Sequence, residues 1–202
     1  MKIDKLAKSE VINRFVLPEE LHVPIAVKSR NDLCDYVGEV IEDLSYRNAE
    51  RAFLVKVNSK LQKTNLPIWD HPNSAIFHSH LQVWVHVDYR GYRKAYQKAF
   101  PKTDIEDKVL DHIMNRRFAR LRKFKFLRII PISQSANTSG AFGEKWGVDY
   151  NEPHNENVQR EIAYQRIKYA DLFDLVKMLD NKPGGGIMDV INRAQSLVIP
   201  PD

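Results

Sequence analysis

The chain has 202 residues, 43% hydrophobic and 28% charged, the balance of an ordinary globular protein with enough apolar material for a real core, which excludes wholesale disorder. Lys and Arg number 31 against 26 Asp and Glu, a net charge of +5 that favours a polyanionic partner without requiring one. The single cysteine, Cys34, excludes an internal disulfide and a four-cysteine zinc site.

In chain order, residues 1–28 mix polar residues with two Pro-marked breaks, at Pro18 and Pro24. MKIDKLAKSEVINRF holds no apolar run of signal-peptide length. No stretch approaches the roughly 20 apolar residues of a membrane span, so a cytoplasmic protein with no membrane partner is expected. Asn31 is placed to cap a helix carrying Leu33, Val37, Val40, Ile41 and Leu44 on one face, with Cys34 as a small buried residue. A second helix is expected over 49–61, with Phe53, Leu54 and Val57 apolar. TNLPIWDHPNS is a loop by its Pro and Asn content.

The clearest strand covers 75–89. One side carries Phe77, Leu81, Val83, Val85 and Val87, and the other His78, His80, Gln82, Trp84, His86 and Asp88. RGYRKAYQKAF is a short helix aligning Tyr92, Tyr96 and Phe100, ended by Pro101. Residues 104–128 leave two choices: helical spacing throughout, or a brief extended KVLDHI followed by the helix NRRFARLRKF. FLRIIPI is a strand, with Pro131 at an edge or strand end. SQSANTSGAFG is a turn-rich loop able to open a helix. A long helix is expected over 155–179, a break at NKPGGG, and a final short helix over 187–197. The expected class is α+β, mainly helical with a small β-sheet: a globular domain over 1–150 and a C-terminal helical extension over 151–202 packed on it.

Two constellations carry chemistry by residue type alone. His78 and His80, two apart on a strand, project the same way and could share a metal ion. His86 lies six residues beyond His80, about 20 Å along an extended strand, too far to join them without a bend. A polar sheet face covered by a helix or solvent, with Trp84 packing across it, accounts for the same residues. The second constellation is the basic run Arg116, Arg117, Arg120, Arg122, Lys123, Lys125 and Arg128. On a helix, Phe118, Leu121 and Phe124 face the core while Arg116, Arg120 and Lys123 share a stripe that can neutralise phosphates. A solvated face paired with acidic residues is the plainer account, but no Asp or Glu occurs from 112 to 143.

VLDHI, the basic segment, then RIIPISQSANTSG together resemble the motif of HNH endonucleases in the His-Me finger superfamily, over about residues 111–145. Those proteins carry a DH pair at the end of a first strand and an Asn or His about 25 residues later, near the start of a helix; here His112 and Asn137 are 25 apart. The resemblance implies a ββα-metal-type finger at 105–150. It makes His112 the general base that activates water, with Asp111 and Asn137 as ligands of Mg²⁺ or Mn²⁺. It sets Arg116 and Arg117 beside the scissile phosphate, Arg120 and Lys123 as further substrate contacts, and Glu144 as an additional carboxylate. The family's middle Asn and its frequent zinc-knuckle cysteines have no counterpart.

The function expected first is therefore a metal-dependent nuclease acting on DNA or RNA through His112. The alternative is a non-catalytic nucleic-acid-binding or regulatory protein using segment 116–128. A third is a helical interaction protein associating through its C-terminal helices. GGG at 184–186 lacks the Lys-Ser/Thr of a phosphate-binding loop and is expected to be a hinge.

Overall fold

Short runs of branched and aromatic residues, AFLVKV, LQVWVH and FLRIIPIS, set the architecture. Each is too short for a helix of ordinary length and apolar enough to be covered on both faces, the pattern of a central strand. The computed structural model describes residues 23–57, 81–138, 156–170, 174 and 177–178. In chain order its elements are β1 (Pro24–Val27), α1 (Arg30–Tyr36), β2 (Gly38–Asp43), a 3-10 turn (Tyr46–Asn48), β3 (Ala52–Val57) and β4 (Leu81–His86). There follow α2 (Tyr92–Ala99), β5 (Lys108–His112), α3 (Arg116–Leu121), β6 (Phe126–Ser133), α4 (Glu156–Tyr164) and β7 (Ile167–Tyr169). A helical segment at 134–138 directly follows β6.

All seven strands form one antiparallel sheet, ordered β2-β3-β4-β6-β1-β7 with β5 also on β6. The sheet is strongly curled into a half-barrel, which corrects the expectation of a mainly helical protein with a small sheet. Strand β6 organises it. Ile129 pairs with Val83 of β4 on one edge and with His112 of β5 on the other, while Leu127 pairs with Ala26 of β1. Thus β1 and β5 share one edge of β6 end to end. The two strands of the expected finger are consequently part of the main sheet rather than a separate small unit.

Individual expectations divide along the same line. The helix expected over 49–61 is strand β3 at 52–57. The helix expected from Asn31 is α1, capped by Ser29, whose Oγ accepts from Asp32 N at 3.2 Å, and it ends at Tyr36. Gly38 then opens β2 so close to β3 that a Cβ would collide with the Lys56 carbonyl oxygen. The expected helix over 155–179 stops at Tyr164, and Ile167 pairs with Val27 in the sheet. α2 forms as expected, and 104–128 takes the extended-then-helix choice. β4 alternates as expected, but Gln82 and Trp84 on its supposed polar side are buried. Cys34 is exposed, because α1 turns Leu33 inward instead.

α1 covers one face of the sheet, where Leu33 and Val37 pack with Phe53, Val55, Trp84 and Phe126. α2 covers the other, where Ala95 and Tyr96 pack with Leu54, Val83, Val85, Leu110 and Ile129. A third cluster gathers Ile113, Ala119, Phe124, Ile130, Ile132, Ala136 and Met178 around the β5–β6 pair. No helix among the described residues is long and apolar enough to cross a membrane. The Gly-rich 184–186 and the helix expected over 187–197 lie outside the described residues.

Candidate functional site

β5 pairs with β6 in continuous register, Lys108 with Ser133 through His112 with Ile129, so the DH pair ends a strand as expected. Because side chains alternate along a strand, Asp111 and His112 leave β5 on opposite faces. His112 is buried, at 9% exposure, and packs edge-on against the Tyr92 ring at 4.8 Å between centroids. Among the described residues its Nε2 has no hydrogen-bond partner. Burial, with the positive charges of Arg116, Lys177 and Arg120, pushes the His112 pKa down to about 4. The ring is therefore neutral at pH 7 and lies in the field of three cations, of which Lys177 and Arg120 have carboxylate partners.

On the other face, Asp111 Oδ2 lies 2.7 Å from Lys177 Nζ, an ion pair with side chains 13% and 6% exposed. Lys177 thus serves both faces, neutralising Asp111 and adding to the positive field at His112. Beyond His112 the chain turns at Asn115, whose Oδ1 accepts from Arg117 N at 2.8 Å and Phe118 N at 3.4 Å, capping α3. The cap places Arg116 and Arg117 exposed in the first turn, and the charge of Arg116 reaches the His112 imidazole.

The basic stripe is only partly free. Arg120 donates through Nε and Nη2 to Asp88 Oδ1, at 2.9 and 2.8 Å, and this pairing holds the Asp88 carboxyl below its ordinary pKa. Arg122 pairs with Glu161 at 3.2 Å and lies over the Phe118 ring. Arg128 is wholly buried, with its pKa lowered to about 9 by desolvation, so it belongs to the sheet and not to the basic face. Lys123 is exposed at the far end of α3. The acidic partners missing from 112–143 arrive from distant parts of the chain.

Asn137 sits half-buried on the helical segment 134–138, which Ser133 starts by accepting from Ala136 N at 3.2 Å. Ala136 packs in the cluster holding Ile130, the register partner of Asp111, and Met178, next to Lys177. Segment 134–138 and Lys177 therefore meet the Asp111 end of the β5–β6 pair. His78, His80 and Glu144 lie outside the described residues. His86 is engaged elsewhere: its Nδ1 accepts from Asp88 N at 3.2 Å and its ring packs against Phe126.

The fit of Mg²⁺ or Mn²⁺ turns on Asp111. Such ions need several hard oxygen ligands. Here the carboxylate is already balanced by an ammonium group, and the described residues hold no group of three or more His, Cys, Asp or Glu able to surround an ion. An ion at Asp111 would have to displace Lys177 and find further ligands elsewhere. The described residues do not fit the ion.

Lys177 and Tyr92 were not legible as site residues. Lys177 is a lone cation amid Leu175, Val176, Met178 and Leu179, and that isolation was the one available signal that its ammonium is held inside. No protein-family model, curated protein or solved structure matches the chain.

Proposed function

We propose that the protein is a nuclease hydrolysing phosphodiester bonds in DNA or RNA, with His112 as the general base. One observation carries this: a neutral, unpartnered imidazole nitrogen at a strand end, within the field of Arg116, Arg120 and Lys177. Of the cations that depress the His112 pKa, Arg120 and Lys177 pair with Asp88 and Asp111, and the exposed Arg116 is the one a phosphodiester would neutralise. Burial is the larger cause of that depression; an anion bound beside Arg116 offsets the smaller, repulsive part and raises the basicity of Nε2. The attacking oxygen then forms its bond to phosphorus, the ester oxygen leaves with the bonding pair, and the exposed Arg116 stabilises the charge that builds on the phosphoryl oxygens. The HNH-like resemblance of 111–145 supports the same role for His112, and Tyr92 holds the ring in place.

The test compares wild-type protein with His112→Ala on labelled DNA and RNA strands. The variant is expected to keep its fold and affinity while cleavage falls at least 10²-fold. Undiminished cleavage by the purified variant would reject the role. The Asp111–Lys177 pair favours a second reading, because it occupies the carboxylate a catalytic ion would use. Under that reading the protein binds nucleic acid through Arg116, Lys123 and their neighbours, and no product forms with any added metal.

A further inference from the structure

Three segments distant in sequence bring positive charge to the C-terminal end of α3. Lys28 follows β1, and its backbone N donates to Arg166 O at 3.2 Å, while Lys125 N donates to Val27 O at 3.0 Å. Lys28 Nζ donates to Ile162 O and lies 5.9 Å from the Phe124 ring centroid. Arg122 and Lys123 close α3 beside them. Two carboxylates are near, and both are engaged. Glu161 pairs with Arg122, and Asp32, 6% exposed, accepts from the Ser29 hydroxyl at 2.5 Å. Lys123 and Arg166 are exposed and, among the described residues, have no carboxylate partner.

The backbone adds a second observation. α3 ends with Phe124 N donating to Ala119 O at 2.8 Å and Lys123 N to Arg120 O at 3.1 Å, and Lys123 has φ 61. That left-handed position is the one glycine serves best, and a lysine there costs about 1 kcal/mol. The chain keeps a cation where geometry favours glycine, in a place where cations already repel one another.

We propose that Lys28, Lys123 and Arg166 form a binding site for the sugar-phosphate backbone of a nucleic acid, separate from His112. The lowered pKa of Lys28, caused by burial and then by Arg166, Lys123 and Arg122, agrees with a site whose positive charge awaits an anion. Over Arg116–Leu121, α3 advances about 9 Å, roughly two to three nucleotides of B-form axis. A strand held at this site can therefore reach His112 along α3. The proposal rests on the nucleic-acid part of the function proposed above and is independent of cleavage.

The experiment measures binding of a fluorescein-labelled DNA strand, and its RNA counterpart, by anisotropy over a range of salt. In Lys28→Gln/Lys123→Gln/Arg166→Gln the slope of log K against log salt is expected to fall in magnitude by about 2–3, with weaker affinity. Lys94→Gln, an exposed change on α2, should leave the slope alone. Because Lys28 also bonds to the Ile162 carbonyl, Lys123→Gln/Arg166→Gln is measured in parallel, with an expected fall of about 1–2. An unchanged slope in a folded double variant would overturn the site, as would absent binding by wild type or equal affinity for polyglutamate of matched charge. A reduced slope with cleavage unaffected by His112→Ala would sustain the site while removing the nuclease mechanism.

Discussion

At the scale of single residues, the environment of His112 decides what it can do. Its pKa in the folded chain is about 4 against an ordinary 6.5, so the unfolded chain takes up its proton first as pH falls. The stability from keeping the ring neutral is complete above pH 6.5 and is lost as pH drops toward 4. Between pH 7 and 5 this site alone should remove about 2 kcal/mol, read as a fall in urea midpoint that His112→Gln lacks. His86, also lowered by burial, contributes in the same direction and remains in both proteins. Asp111 and Lys177 give a second prediction. Lys177→Met should cost about 3–5 kcal/mol by leaving a largely buried carboxylate unbalanced, and adding Asp111→Asn should recover part of it. Additive losses in that double-mutant cycle would show that the pair is not coupled. Asp111 and His112 were legible because a DH pair stands out; Lys177 was not, because its partner lies 66 positions away.

At the scale of elements, what could be read depended on whether local signals and tertiary cover agreed. α2 was readable because its aromatic residues recur at helical spacing and Pro101 stops it. β6 was readable from its branched residues. β3 misled because AFLVKV fits a helix face as well as a buried strand, and only neighbours on both edges settle it. β7 misled because three residues inside a helical pattern carry too little signal to break it. α3 supplies the element-scale prediction. Lys123→Gly should raise stability by about 0.5–1 kcal/mol in urea unfolding, since glycine takes the left-handed position without strain. The same change should weaken nucleic-acid binding. Opposite signs for stability and affinity would be hard to obtain from a lysine that serves only to cap the helix, and a loss of both would count against the account.

At the scale of the whole molecule, a curled antiparallel sheet carries the candidate site on the strand where its edges converge. β6 pairs with β4 on one edge and with β1 and β5 on the other, so the ends of β1 and β5 and the two ends of α3 are held in fixed relation. That arrangement was not legible, because curvature and strand order arise from pairings as distant as Pro24 with Tyr169. Composition did indicate an excess of positive charge, and the structure distributes it between buried, paired and exposed groups. The central claim is that the imidazole of His112 takes the proton from the attacking water. Chemical rescue tests it most directly: His112→Gly is assayed on a labelled strand with and without added imidazole at neutral pH. The account predicts a folded, nucleic-acid-binding variant that does not cleave alone and regains cleavage in proportion to the imidazole base. A glycine variant that cleaves as fast as wild type without imidazole would contradict it.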